Sequence, residues 1–332
     1  VSAVSPDSQM PLRRLGEQGP EVSALGYGAM GLSGVYGEAD DAESARLLRH
    51  LLDIGLTFVD TADVYGQGHN ERLIGDAIAG RRDEAFLATK FGAGQETGLG
   101  RPEYVRKAID ASLERLGADH VDLYYLHRVD PTTPIEETVG ALGELVEAGK
   151  LRHIGLSEVA PGTLRRAHRT YPVTAVQQEY SLFTREPEEH LLPTMRELGV
   201  GLVPYSPLGR GVLTGGFRDA AQVENLQQRQ QRYPRFAEQN LQRNLTLVDR
   251  LRQRADALGR TPAQLALGWL LAQGEDIVPI PGSRRPVNVE ANIEAVRHPL
   301  DASVVTELSE LFPVGAAAGD RYAPEFSARL EQ

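Results

Sequence analysis

Four residues able to do acid–base chemistry stand at or just past the ends of strand-like apolar runs. Asp60 closes LTFVD (56 to 60), Tyr65 follows five residues later, Lys90 closes AFLATK (85 to 90) and His127 closes VDLYYLH (121 to 127). A carboxylate at the lip of a buried strand is costly to desolvate unless a cation sits beside it, and Lys90 is the cation this pattern offers. A tyrosine hydroxyl titrates near ~10 when unperturbed, and a neighbouring ammonium lowers that value by stabilising the phenolate. A neutral imidazole from His127 can hydrogen-bond and orient a reacting oxygen. Together the set can protonate an oxygen as negative charge builds on it, which is what carbonyl reduction requires once a hydride arrives. No amino acid donates hydride, so a nicotinamide cofactor is implied.

These residues meet only if their strands share one end, and the chain is patterned for that. Eight short apolar runs occur: ALGYG (24 to 28), the three already named, LRHIGLS (151 to 157), VTAVQQ (173 to 178), VGLVPY (200 to 205) and DIVPIP (276 to 281). Between them lie helical patterns at 40 to 55, 101 to 117, 133 to 149 and 261 to 274. The last two each open on Thr-Pro, read as N-cap and first helical residue. Eight strand–helix alternations predict an all-parallel sheet closed into a single α/β (β/α)8 TIM barrel. A hairpin over 12 to 25 precedes it and extra helices follow it; residues 1 to 11 read as a disordered tail, and 12 to 332 as one domain. In a barrel the strand ends converge on one mouth. The Gln- and Arg-rich stretch 211 to 245 has no strand pattern and reads as a solvated excursion or as a loop closing over a ligand.

Composition excludes several classes. The chain has 332 residues, 46 acidic against 35 basic, for a formal charge of −11, a field that repels nucleic-acid backbones and anionic lipid. No apolar run has membrane-spanning length, and there is no cysteine, which fits a cytoplasmic protein. None of the eight histidines falls in a zinc-type spacing. Gly26 to Gly31 spells G-x-G-x-x-G, but LSGVYGE follows where a dinucleotide fold needs a helix. Trp269 lies on an apolar helix face and reads as core.

The motifs resemble the aldo-keto reductases. LDIGLTFVDTADVYGQGHNERLIGDAI (52 to 78), LATK (87 to 90), VDLYYLHRVDPTTPIEETV (121 to 139), GKLRHIGLSE (149 to 158), AVQQEYSL (175 to 182), VPYSPLGRGVLTG (203 to 215) and IVPIPGSRR (277 to 285) follow the family's order from Leu15 to Phe312. The wording LHRVDP is most similar to the bacterial and plant branch that includes perakine reductase and auxin-induced-type oxidoreductases. The resemblance implies that Tyr65 is the general acid, that Lys90 and Asp60 tune it, and that His127 orients the carbonyl of a small-molecule aldehyde or ketone. It implies NADPH, with NADH as the second choice, extended across the mouth. Ser157 and Gln178 would hold the carboxamide and Tyr205 would stack on the nicotinamide. Ser206, Pro207, Leu208, Gly209, Arg210 and Gly211 would wrap the pyrophosphate. Gly282, Ser283 and Arg284 would take the adenosine 2′-phosphate, Asn288 and Asn292 the adenine ribose half. Gly28 and Met30 join the cofactor set from the first strand, and Met30 and Tyr36 are also candidate substrate contacts. The family's usual Glu-Asn is here Ala291-Asn292, so the carboxylate that meets adenine is absent unless Glu290 substitutes for it.

Two other readings keep the same residues. A nicotinamide-binding sensor or auxiliary subunit would bind the cofactor and turn over slowly. A barrel isomerase or aldolase would use Lys90 as a Schiff-base nucleophile. The substrate loops fall at 30 to 39, 91 to 100 and 211 to 240, and their residues do not name a substrate; the pathway, direction and oligomeric state are likewise unwritten in the sequence.

Overall fold

The computed structural model describes residues 10–331 apart from Tyr36, Gln95, Ala328 and Arg329, so the candidate contact Tyr36 and residues 1–9 of the expected tail lie outside the described residues. Met10 and Pro11, assigned to that tail, belong to the fold: Met10 is buried in the core and Pro11 O accepts from Ala24 N at 2.8 Å.

The antiparallel hairpin β1 (Leu12–Arg14) and β2 (Glu21–Ser23) leads into a sheet of seven parallel strands in sequential order. These are β3 (Tyr27–Gly28), β4 (Phe58–Asp60), β5 (Phe86–Phe91), β6 (Val121–Leu126), β7 (Leu151–Ser157), β8 (Val173–Glu179) and β9 (Gly201–Tyr205). The expected eighth strand, 276 to 281, is present as a stave with only sparse pairing. Val278 N and Ile280 N donate to Leu202 O and Pro204 O, and on its other edge the stave accepts from Gly26 N at Pro279 O. Pro279 and Pro281 have no N–H to donate, so a continuous ladder cannot form there. These bonds nonetheless close the barrel.

Period-two alternation sorts each strand into residues facing the helices and residues facing the axis. The axial residues form a separate core of Phe58, Ala88, Leu123, Tyr125, Ala175, Val203, Val278 and Ile280, plugged from the hairpin side by Leu15 and Val22. Gly155 makes room within it: a Cβ there would lie 2.2 Å from the Tyr125 ring. Continuing each alternation by two residues takes Phe58 to Asp60, Ala88 to Lys90, Tyr125 to His127, Ala175 to Gln177 and Val203 to Tyr205. The apolar plug thus ends in a polar layer at the carboxyl ends of the strands.

Helices α1 (Asp41–Asp53), α2 (His69–Ile78), α3 (Pro102–Leu116), α4 (Ile135–Glu147), α5 (Pro161–Thr170) and α6 (Leu191–Glu197) follow successive strands; α7 (Leu226–Arg232), α8 (Glu238–Ala257) and α9 (Pro262–Leu271) follow β9. Beyond the stave come α10 (Pro286–Arg297), α11 (Ala302–Leu311) and the short α12 (Pro324–Ser327). The two Thr-Pro starts differ. Thr261 caps α9 in a reciprocal capping box with Gln264, whereas Thr133 gives its hydroxyl to Asp130 and Pro134 takes the cap position of α4. Trp269 is fully buried and its Nε1 donates to Ser309 Oγ at 2.9 Å. Among the described residues no helix is long and apolar enough to cross a membrane.

Candidate active site at the barrel mouth

Asp60 and Lys90 sit on paired strands β4 and β5 with side chains 3% and 0% exposed, so neither charge has water to stabilise it. Lys90 Nζ donates to Asp60 Oδ1 at 2.5 Å, to Thr61 O at 2.6 Å and to Tyr65 Oη at 3.3 Å, which uses its three protons. Asp60 Oδ2 accepts from Gln177 Nε2 at 2.8 Å. Burial alone would lower the Lys90 ammonium, but Asp60 and Tyr65 outweigh it and hold the ammonium above its ordinary value.

Tyr65 is carried by the turn after β4, which α2 pins from behind. Asn70 accepts from Thr61 Oγ1 and donates to Ala29 O and Ser33 Oγ, and buried Glu71 accepts from Thr89 Oγ1 and Arg115 Nε. The sequence led us to expect a Tyr65 hydroxyl lowered by Lys90. Burial acts in the opposite direction and more strongly, so the phenol stands above its ordinary value despite Lys90, and it keeps its proton at neutral pH. The His127 ring lies edge-on to Tyr65, with centroids 6.0 Å apart. Burial first, then the positive charges of Arg128, Lys90 and Arg232, hold the imidazole well below its ordinary pKa, so it is neutral. Its Nδ1 is buried without a partner.

The residues expected to meet a cofactor fall around this centre. Ser157 ends β7, where its Oγ accepts from Arg128 Nη1 at 3.2 Å; Gln178, near the end of β8, donates to Glu158 Oε2, and its Oε1 is buried without a partner. Tyr205 Oη donates to Glu158 Oε1 at 2.7 Å and lies 3.1 Å from Tyr322 Oη. The run from Ser206 to Gly211 coils tightly, with positive φ at Ser206 (49°), Gly209 (56°), Arg210 (54°) and Gly211 (97°). Such backbone in two non-glycine residues is held by surrounding structure and concentrates at ligand sites. The Gly209 and Gly211 amides, expected to point at a pyrophosphate, donate instead to Ser206 O and Leu208 O within the coil. Within it Pro207 is buried and Leu208 is partly buried against the core. The Arg210 side chain turns inward onto Glu179 at 2.7 Å.

At the end of the adjacent stave Gly282 packs on Gly28, where a Cβ on Gly282 would come within 2.3 Å of Gly28 O; Met30, half-buried, follows two residues after Gly28. Asn288 Nδ2 donates to Ser283 Oγ, and Asn292 is buried on α10. Arg284 reaches Glu38 O and the exposed carboxylate of Glu224. Glu290 bonds His50 Nε2 at 2.8 Å.

Sequence reasoning passed over a second buried network. Glu158, with φ 52°, accepts from Tyr205, Gln178 and both terminal nitrogens of Arg321; Glu179 accepts from Arg210 and Arg235. The stretch 211 to 245 exposes many of its residues but is anchored at buried ones: Arg235 reaches Glu179, and Arg229 donates to Arg210 O at 2.8 Å. The available signal was a glutamate at each of two adjacent strand ends, QQE and LSE. In LHRVDP, Asp130 binds the Gly100 amide and the hydroxyls of Thr132 and Thr133, so it fastens loops together. Among the described residues no group of three or more His, Cys, Asp or Glu could hold a metal ion.

Comparison with known proteins agrees with this geometry. Residues 24–312 match the model of the aldo/keto reductase family. The chain is 46% identical over 319 residues to "Probable aldo-keto reductase 1" of Glycine max, covering 93% of this chain and 91% of that one. It superposes with a TM-score of 0.73 on a crystal structure of a thermostable aldo-keto reductase in complex with the inhibitor epalrestat, at 32% identity, covering 91% of this chain and all of that one. By its barrel, its motifs and these matches, the chain belongs to the aldo/keto reductase family.

Proposed function

We propose that this protein is an NADPH-dependent reductase of aldehydes or ketones, with Tyr65 as proton donor and Asp60, Lys90 and His127 as the groups that tune and orient it. The observation that carries the reading is Lys90 Nζ shared between Asp60 Oδ1 and Tyr65 Oη beside a neutral His127.

The residues fit a nicotinamide dinucleotide. A buried, unpartnered acceptor on Gln178 calls for an N–H donor of the kind a carboxamide carries, and the coil at 206–211 has the conformation of a ligand loop. Ser157, Gln178 and Tyr205 would hold the nicotinamide half and Ser206 to Gly211 the pyrophosphate. Gly28, Met30, Gly282, Ser283, Arg284, Asn288 and Asn292 would hold the adenosine half. Arg284 supports the phosphorylated cofactor, since its partner Glu224 is an exposed carboxylate that a 2′-phosphate can replace. When bound, the nicotinamide supplies the hydride.

The side chains do the rest. His127 Nε2 donates a hydrogen bond to the carbonyl oxygen and fixes its direction toward Tyr65. Tyr65 Oη releases its proton to that oxygen as negative charge develops. The phenolate left behind is stabilised by Lys90 Nζ, whose charge is secured by Asp60. The buried rim of the mouth keeps these interactions strong by excluding water.

The test is a fluorescence titration with NADPH and NADH, followed by NADPH consumption with 4-nitrobenzaldehyde. Tyr65→Phe is expected to bind NADPH normally and to lose turnover by about 10²–10⁴-fold, the usual contribution of a positioned acid. Turnover near wild type in that variant sinks the assignment of Tyr65, and failure of either cofactor to bind removes the hydride source.

A further inference from the structure

Arg128, the residue after His127, differs from Arg210, Arg235 and Arg321 in having no carboxylate bonded to it. Arg321 is held by Glu158 through two bonds, and Arg210 and Arg235 share Glu179. Arg128 makes two hydrogen bonds, to His127 O at 2.5 Å and Ser157 Oγ at 3.2 Å, and both leave from Nη1. Nε and Nη2 make no hydrogen bond to any described residue, and neither is a fully buried atom without a partner. The groups that act on Arg128 electrostatically are Tyr205, Tyr322, Glu158 and Tyr65; the only carboxylate among them is Glu158, already bonded to Arg321 and Tyr205.

A guanidinium cannot give up its proton near neutral pH, so a largely buried one without an anion is costly. Two carboxylates here face four guanidiniums, an excess of positive charge on a chain whose formal charge is −11. Arg232, over the rings of Tyr233 and Phe326 on the rim, adds to the positive charge felt at His127. The Nε and Nη2 edge of a guanidinium is a planar fork that matches the two oxygens of a carboxylate. Arg128 adjoins His127 and acts on Tyr65, on the side of the site where the carbonyl is protonated. We propose that Arg128 selects carbonyl substrates bearing a carboxylate, which docks on Nε and Nη2 while the carbonyl oxygen lies at Tyr65 and His127. This rests on the reductase reading above.

The matched probes are 4-formylbenzoate and its methyl ester, which differ chiefly in charge. Wild type is expected to show a kcat/KM for the acid about tenfold to a hundredfold above that for the ester, the range of a charge-assisted hydrogen-bonded pair. In Arg128→Met that ratio collapses to near one, and Arg128→Lys, which restores the charge without the fork, recovers part of it. Equal use of acid and ester by wild type overturns the proposal, as does an Arg128→Met variant that loses both substrates in equal proportion. If the methionine variant does not fold, as judged by its thermal melt, the lysine variant and wild type carry the comparison. Calorimetric binding of 4-formylbenzoate separates this inference from the reading beneath it. If neither aldehyde is reduced, the reductase reading fails; weaker binding of the acid to Arg128→Met than to wild type still supports the carboxylate site, and equal binding overturns it.

Discussion

Two buried ionic networks line the same barrel mouth and are put to different uses. At β4 and β5 a single carboxylate meets a single ammonium, and the third proton of Lys90 is left for Tyr65. At β7 and β8 two carboxylates are enclosed by Arg210, Arg235 and Arg321, which come from segments beyond the seventh strand. The first network is sparse and has the proposed proton donor, Tyr65, at its edge. The second is dense, every oxygen of its carboxylates is occupied, and it ties the loop after β9 and the segment around Tyr322 to the barrel. A point charge on a flexible stem suits the first role, and planar forks with several donors suit the second.

Removing the lysine is expected to have the largest effect, because it breaks chemistry and stability together. In Lys90→Met, Asp60 remains buried with only Gln177 as partner, a situation that typically costs about 3–5 kcal/mol. NADPH consumption is expected to fall by about 10²–10⁴-fold. Adding Asp60→Asn removes the stranded charge, so the double variant should recover most of the lost stability in a urea melt while turnover stays low. Recovery of turnover in the double variant would break the division of labour between the two networks.

Glu179→Gln tests the dense network. Burial raises its carboxyl, but Arg210 and Arg235 overcome that and depress it to about 2, from an ordinary value of 4.5. A depressed folded-state value means that the stabilisation is fully present above the unfolded pKa and is lost as pH falls from about 4.5 toward about 2. That shift corresponds to roughly 3 kcal/mol at neutral pH. Chemical denaturation at pH 7 should show a loss of that order in Glu179→Gln, and the variant's stability should fall less steeply than that of wild type below pH 4.5. Unchanged stability would show that the arginines find other partners.

The contrast also separates what a reader of the sequence can and cannot find. Asp60, Lys90 and His127 were legible because each closes its own apolar run and strand alternation carries it to the mouth, and Tyr65 because it stands in the turn five residues past Asp60. The barrel was legible for the same reason, although Pro279 and Pro281 reduce the eighth stave to a few bonds. The dense network was hidden because its arginines lie in stretches without periodicity. Arg235 reads as one more charge in a Gln- and Arg-rich segment, and nothing local says that it bonds a glutamate 56 residues earlier. The sign of the Tyr65 shift was also out of reach, since it depends on the depth of burial.

A smaller change should separate the two carboxylates within the dense network. Arg321→Ala removes the bidentate partner of Glu158, but Tyr205, Gln178 and the Glu179 amide remain bonded to that carboxylate. The expected stability loss is about 1–3 kcal/mol, less than for a stranded charge. Because Glu158 holds Tyr205 and Gln178, weaker NADPH binding should accompany it, and Arg321→Lys should restore part of the affinity. Loss of stability without any change in NADPH affinity would detach this network from the cofactor residues.

The smallest expected effect is the absence of one. His127 is buried and faces Arg128, Lys90 and Arg232, all of which disfavour its protonated form. Its pKa lies well below the ordinary 6.5, so lowering the pH from 8 to 6 leaves the imidazole neutral and able to donate from Nε2. The folded state therefore resists taking a proton that the unfolded chain accepts, and His127 contributes stability above the unfolded pKa that declines as pH falls below it. Nitrogen-detected NMR of the ring should report a neutral imidazole throughout that range, and kcat/KM should show no inflection assignable to His127 when compared with His127→Asn. An imidazolium signal at pH 6 would mean that the positive charges of the mouth are offset by an anion near His127, and that the sparse network is coupled to charge outside it.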